Sequence, residues 1–443
     1  MTQNTFFSIP AVRPLLSAAL IASLAAAACT AELPELQLER PAEPRAGDRR
    51  DTFDAKLAGG ARPATERGAG ISSDDSDADA DADADASPSA EALPDARRDV
   101  AAKLGAPNRF LIGLGNDVTA QEGWDPNRAH AYELGPKLDL HYMYLSGLDW
   151  PSWSGPDGVY VSDHARAAKA RGVVPMFTLY QAAAWGENNL GAFDDATFMT
   201  RYWRNVRIMY TRLGAFGAPS VVHLEPDLWG YFQKRHASPS GVRVKVAALV
   251  PECADLPDDV AGFGKCLVRL GRSLAPKALI GLSASSFGAS TNGKSDPQKI
   301  AAYLSAVGAD ASDLMIVETL DRDAGCFEAA TDPLCRRAGS FYWNDSDFRA
   351  HLAWAKTIHE QTGKALLWWQ MPLGTPSSKA GGAAGRYRDN RVAWLFAHPE
   401  EFAAAGGVGA VFGTGAPNQT TVKSDGNQFK NAVTQYYQQP LAF

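Results

Sequence analysis

Two apolar runs of this chain end in carboxylates, and carboxylates so placed can do acid and base work. The first reads Val221-Val-His-Leu-Glu-Pro-Asp-Leu-Trp-Gly-Tyr231, which ends in Glu225-Pro226-Asp227. Proline cannot extend a strand's hydrogen-bond ladder, so it stops the run and stiffens the turn that carries both acids. The second, Asp313-Leu-Met-Ile-Val-Glu318, delivers Glu318 at its end, followed by Asp321 and Asp323. Cleavage of a glycosidic bond needs such a pair. One carboxylic acid protonates the leaving oxygen, and an opposing carboxylate attacks or activates water. Glu225 is expected as the general acid, Glu318 as its partner and Asp227 as the reserve. The competing reading makes Glu225 and Glu318 ion-paired scaffold residues, with Arg322 and the arginines of 386–391 as partners.

Aromatic and amide side chains cluster near the same run ends. Trp150, Trp153, Trp185, Trp229, Trp343, Trp368 and Trp369 account for seven of the 11 tryptophans, beside Tyr180 and Tyr231. An indole face packs on the apolar face of a sugar ring, while sugar hydroxyls need polar neighbours. Asn116, Gln181, Asn188, Asn189, Gln370, Asn390 and Asn418 are placed to supply them. Substrate contact is expected from Asn116, Trp150, Tyr180, Trp185, Trp229, Trp369 and Gln370. Trp368 and Trp369 adjoin along one run, so at most one can face inward. The segment Gly385-Arg-Tyr-Arg-Asp-Asn-Arg391 could hold substrate, orient an acid or cap the helix that follows it.

The runs that must position these groups recur as strand candidates. They are Phe110–Leu114, Leu138–Leu145, Val173–Leu179, Ser220–Leu224, Leu279–Ser283, Leu314–Val317, Ala365–Trp369 and Gly409–Phe412. Helical patterns lie between them. Phe198, Tyr202, Val206, Met209 and Leu213 line one face of 196–213. Leu352, Ala355 and Ile358 line 347–362, with Asp347 expected at its cap. Eight strand-helix alternations over 103–443 predict an α/β fold, a (β/α)8 TIM-type barrel with long loops, in which function sits at the C-terminal strand ends. An open doubly wound sheet lacks support, because Gly113-Leu-Gly115-Asn-Asp has no third glycine.

Composition narrows the function classes. The formal charge is −7 from 43 basic and 50 acidic residues, and seven aspartates between Asp74 and Asp85 account for all of it. A neutral remainder has no electrostatic footprint for nucleic acid or anionic lipid. No HxH, HExxH or GxSxG motif occurs, so neither a metal site nor a serine elbow is expected, and glycosidic cleavage requires no cofactor. A monomer acting on an oligo- or polysaccharide is expected.

Residues 1–28 read as a signal peptide, with the apolar run Pro14–Ala28 following Arg13. Cys29 directly after it resembles the lipidated cysteine of bacterial lipoproteins, which implies an exported chain on a membrane surface, in the periplasm or outside the cell. Ordinary cleavage and secretion is the alternative. Residues 29–102, rich in Ala and Asp, read as a disordered tether. The other four of the five cysteines fall into two local pairs, Cys253 with Cys266 and Cys326 with Cys335. Disulfides suit an exported chain, and metal binding is the weaker reading because neither pair has CxxC spacing.

A signal-bearing barrel with Glu225-Pro-Asp227 at its fourth strand end resembles the secreted glycoside hydrolases. In their large retaining clan, a Glu ending the fourth strand is the acid/base and a second Glu ends the seventh. The resemblance implies the first role for Glu225, although Leu224 stands where Asn is usual and Gln370 where the second Glu would be. The cellobiohydrolase and endoglucanase group also carries a Glu-Pro-Asp strand end, with aspartates doing the chemistry, which would shift weight to Asp227. A glycan-binding barrel that has lost turnover is the reading from another class.

Overall fold

The computed structural model describes residues 95–118, 125–148, 153–186, 188–319, 343–374, 389–415 and 419–443. The signal-like run, Cys29 and residues 29–94 of the expected tether lie outside the described residues, as do Trp150, Asp321, Asp323, Cys326, Cys335, Asn418 and the side chain of Trp185; residues 96–102, expected in the tether, instead belong to a helix capped by Asp95 and running to Leu104.

Eight parallel strands close into a barrel, each hydrogen-bonded to its neighbours in chain order. They are β1 (Leu111–Gly115), β2 (Leu140–Ser146), β3 (Val174–Tyr180), β4 (Ser220–Leu224), β5 (Ala278–Ser283), β6 (Leu314–Val317), β7 (Ala365–Met371) and β8 (Gly407–Gly413). This is the (β/α)8 barrel that the alternation predicts, with strand ends displaced by no more than two residues. β8 closes on β1, pairing Leu111 with Gly409 and Gly115 with Gly413.

Strand alternation sorts the side chains into two layers. Leu140, Tyr142, Met176, Val221, Leu279, Ile316, Leu367, Trp369 and Val411 fill the barrel interior. Val222, Leu224, Val317, Leu366, Trp368 and Phe412 point outward into the shell beneath the helices. Trp369 therefore lies inside and Trp368 outside, where its indole N–H donates to His351 Nε2 at 2.9 Å. Gly115 carries no side chain because a Cβ there would sit 2.3 Å from the Tyr142 ring.

The helices follow from caps and stripes. α1 (Ala96–Leu104) places Val100 and Leu104 against the interior cluster and covers the barrel floor. α2 (Val159–Ala170) precedes β3, and α3 (Ala196–Phe216) buries Phe198, Tyr202, Val206, Met209 and Leu213 as its pattern predicts. The short α4 (Leu228–Arg235) begins directly after Asp227. α5 (Val260–Leu274) carries Cys266, whose disulfide to Cys253 ties down the insertion after α4. α6 (Pro297–Val307) starts at Asp296, whose carboxylate caps Lys299 N–H. α7 (Asp345–Thr362) starts two residues earlier than expected. Its cap is Asn344, and Asp347 is the returning member of a capping box, so the acid expected at the cap sits at the third helical position instead. α8 (Arg391–Ala397), α9 (Pro399–Ala404) and α10 (Gln428–Tyr436) complete the shell.

Candidate active site

Three non-glycine residues at the C-terminal strand ends have left-handed backbone: Asn116 (φ 50°), Glu225 (φ 48°) and Gln370 (φ 53°). Such a conformation costs about 1–3 kcal/mol and persists only where surrounding contacts enforce it. All three lie on the face where a barrel of this kind carries its chemistry.

Glu225 follows β4, in which Val221 and His223 face inward and Leu224 outward. Simple alternation would send its carboxyl into the barrel. The left-handed backbone sends it behind the wall, where Oε1 accepts from Tyr202 Oη of α3 at 2.9 Å and from Gln181 N–H at 3.1 Å. Oε2 accepts from Ala182 N–H at 3.2 Å. No part of Glu225 is exposed. Burial pushes its carboxyl up to about 8, against the three hydrogen bonds that favour the charged form, while Asp227 nearby adds repulsion. The site continues through Gln181, whose Oε1 accepts from Asn205 Nδ2 at 2.8 Å, and Asn205 also donates to Leu148 O at 3.1 Å. This is a closed polar network that joins the ends of β2, β3 and β4 to α3.

Asp227, two residues on, is partly exposed, and Tyr180 Oη donates to its Oδ2 at 2.9 Å. Glu318 follows β6 directly and is partly exposed too. Burial, and then the Tyr142 hydroxyl with smaller help from these two acids, hold the Tyr144 hydroxyl well above the ordinary phenol range. Asp227 and Glu318 are thus partly exposed after the ends of β4 and β6, whereas Glu225 is buried.

Around them the inner wall is aromatic. The Tyr144 ring lies 6.1 Å from Tyr180, 6.0 Å from Tyr142 and 5.7 Å from Trp369. His223 stacks edge-on at 4.7 Å from Trp369, accepts or donates through Nδ1 to Thr178 Oγ1 at 3.3 Å, and is held neutral by burial, at about 3. Gln370 sits where β7 carries an extra residue relative to β8: Trp368 pairs with Ala410 and Met371 with Phe412. The bulge turns its amide inward, so that Nε2 donates to Tyr144 Oη and to Thr414 O. Asn116 Nδ2 donates to the same carbonyl at 2.8 Å.

The remaining candidates divide. Trp229 is core: it is 1% exposed, its indole N–H donates to Leu224 O at 2.8 Å, and it packs on Phe263. The turn after Asp227 points it behind the wall, so it offers no sugar platform. Trp153 is buried likewise and donates to Gly147 O. Tyr231 pairs with Phe287 at 5.1 Å on the rim. Asn390 clips the backbone of Trp343 at both N–H and C=O. Arg391, wholly buried, pairs with Asp389 at 2.7 Å, donates to Thr319 Oγ1 at 3.1 Å and lies 4.5 Å over Trp343. It thus braces the residue after Glu318 and begins α8. Residue type alone does not single out Tyr144, although Leu140-His-Tyr-Met-Tyr144 alternates and places both tyrosines on one face.

Among the described residues, the one group able to gather three metal-ligand atoms within 4.8 Å is His398, Glu400 and Glu401 at the α8–α9 junction. Glu401 is already engaged there by Arg349 at 3.2 Å.

No protein-family profile matches this chain, and no curated protein sequence is significantly similar to it. Solved structures do resemble it at low identity. A Cellulomonas fimi endo-beta-1,4-mannanase double mutant is 13% identical over 76% of this chain and 73% of its own, with a TM-score of 0.45. A Bacteroidetes-affiliated GH5 cellulase is 10% identical over 75% and 92%, with a TM-score of 0.45. An endo-1,4-beta-D-mannanase from Thermotoga petrophila RKU-1 is 12% identical over 74% and 99%, with a TM-score of 0.43.

Proposed function

We propose that this protein is a glycoside hydrolase acting on a β-linked polysaccharide, with Asp227 and Glu318 as its carboxylate pair. The observation that carries the reading is that two partly exposed acids, Asp227 after β4 and Glu318 after β6, end strands at an aromatic barrel mouth. Glu318 donates its proton to the leaving glycosidic oxygen. Asp227, which accepts the Tyr180 hydroxyl hydrogen, faces the anomeric carbon and either attacks it or takes a proton from the attacking water. The partly exposed rings of Tyr144 and Tyr180 offer apolar surface to a sugar ring, with Trp369 buried behind Tyr144, and Gln370 and Asn116 brace the polar side. Glu225 holds the wall in place and leaves the chemistry to Asp227.

A second reading has its own observation. Gln370 stands at the seventh strand end, where the retaining clan carries a Glu, so a barrel that binds glycan without cutting it is the alternative. Reducing-end release from β-glucans, mannan, xylan and chitin separates the two. Release that falls at least about a hundredfold in both Asp227→Asn and Glu318→Gln supports the enzyme. Binding to one polymer with no release supports the binding protein.

The same proposal places the chain outside the cytoplasm, anchored through lipidated Cys29. The Cys253–Cys266 bond supports an oxidising compartment. Labelling with palmitate that disappears in Cys29→Ser would support the anchor, and retained labelling would sink it.

A further inference from the structure

α4 begins directly after Asp227, and its outward face continues from that acid. Leu228, Trp229, Gly230, Phe232 and Gln233 are buried, whereas Tyr231 is partly exposed and Lys234 is exposed. Tyr231 stands four residues beyond Asp227, and its N–H donates to Asp227 O at 3.1 Å. One helical turn therefore sets the phenol ring on the same side as the acid, about 6 Å further along the axis. That step is close to the length of one sugar unit.

A second ring comes from the neighbouring strand. β5 lies between β4 and β6, and so between the strands that end in the two acids. The loop after it is tied to both sides: Ala284 N–H donates to Ile316 O of β6 at 2.8 Å, and Ser285 Oγ donates to Pro226 O at 3.1 Å. Phe287 is thereby laid on α4 at Gly230, where a Cβ would meet its ring at 2.6 Å. The ring lies 5.1 Å from Tyr231, tilted by 53°, with Lys234 Nζ 5.5 Å from its centre. Phe287, like Tyr231, is partly exposed. Two fixed rim aromatics beside an ammonium suit a sugar, whose apolar face packs on the rings while its hydroxyls meet the cation. We infer that Tyr231, Phe287 and Lys234 form a second sugar-binding subsite, across Asp227 from Tyr144 and Tyr180. The latter belong to β2 and β3 and the former follow β4 and β5, so polymer contacts flank the acid on both sides. This rests on the glycosidase reading above and deepens it. The protein favours chains long enough to reach both sites and cuts them in their interior.

Two measurements on the full-length protein test this. Affinity electrophoresis through gels of soluble β-glucan, mannan, xylan or glycol chitin reads polymer binding. Hydrolysis of the matching oligosaccharides, from disaccharide to hexasaccharide, reads kcat/KM against chain length. Phe287→Ala and Tyr231→Ala should each weaken polymer retention by about three- to tenfold. The ratio of kcat/KM for the hexasaccharide to that for the shortest cleaved oligosaccharide should fall by about the same factor. Phe287→Tyr keeps a ring and should restore both. An unchanged ratio in folded Phe287→Ala and Tyr231→Ala overturns the subsite while leaving the glycosidase reading intact. A wild type that is retained by one polymer but cuts nothing ends the glycosidase reading, and retention of Phe287→Ala then decides the subsite alone. A wild type that neither binds nor cuts any of these polymers overturns both.

Discussion

Glu225 and Asp227 are two residues apart and live in different media. Glu225 is sealed behind the barrel wall, with three donors aimed at it and burial pushing its carboxyl up to about 8. Asp227 is open to the mouth and receives a tyrosine hydroxyl. One left-handed residue makes the difference, because it turns the first carboxyl outward and leaves Pro226 to return the second to the rim. A strand end that carries two acids thus uses one to build and leaves one to react. The largest effect should follow from breaking the reacting one. Asp227→Asn should lower polymer cleavage by about a thousandfold or more while shifting the melting temperature little. Glu225→Gln should do the reverse, with activity per folded molecule within about tenfold of wild type. Equal losses of activity in both would erase the distinction.

Trp229 and Trp369 extend the comparison to aromatic rings. Trp229→Ala removes a buried ring that packs behind the wall, and should cost about 3–5 kcal/mol of stability, read by urea unfolding, without weakening oligosaccharide binding of the folded fraction. A loss of binding larger than the loss of folded protein would return Trp229 to the groove.

What could be read beforehand follows from which forces are periodic. Apolar runs locate the strands, and alternation requires Trp368 and Trp369 to face opposite ways, because inward and outward burial repeats every second residue. Helix stripes gave the buried face of α3. The failures sit where that period is interrupted. Glu225 should have faced in and faces out; Gln370 belongs to the outer face by strict alternation and turns in through a bulge. Neither event leaves a glycine or asparagine as a marker, so residue type alone could not announce it. Tyr144 is different: its alternation with Tyr142 is legible, but the Gln370 amide that reaches it does so only through the bulge, which the run does not show.

The Cys253–Cys266 bond offers a more modest test of the wall. It ties the segment after α4 to α5 across a sequence separation of 13. Replacing both cysteines with serine should cost about 3 kcal/mol on the chain-entropy estimate. Cleavage by the folded fraction should not change. A change in kcat/KM would mean that the wall and the mouth are mechanically coupled through α3.

The finest test is the pH dependence of stability, since the two media predict opposite slopes. Glu225 keeps in the folded state a proton that an unfolded carboxyl, at about 4.5, gives up. Its contribution is complete below 4.5 and disappears as pH rises through about 8, so the melting temperature should decline across that window. His164, His223 and His351 work the other way. Burial, the largest cause in each, holds all three neutral at about 3, against 6.5 when unfolded. Their contribution is complete above 6.5 and is lost as pH falls toward 3. His351 shows why directly: its Nε2 accepts the Trp368 N–H, and a proton there would displace that bond. The two windows overlap between 4.5 and 6.5, where three histidines outweigh one carboxyl, so stability should peak just above 6.5 and decline from there toward 8. Glu225→Gln should remove the alkaline decline and keep the acid one, at a cost near neutrality of about 1–3 kcal/mol, because an amide must set one of its own hydrogens against a ring of donors. Differential scanning calorimetry from pH 4 to 9 reads both slopes (~0.5 unit steps suffice to resolve a one-proton transition). An alkaline decline that survives in Glu225→Gln would mean that the buried carboxyl is not its source, and that the wall behind β4 is less dry than its three donors and its complete burial require.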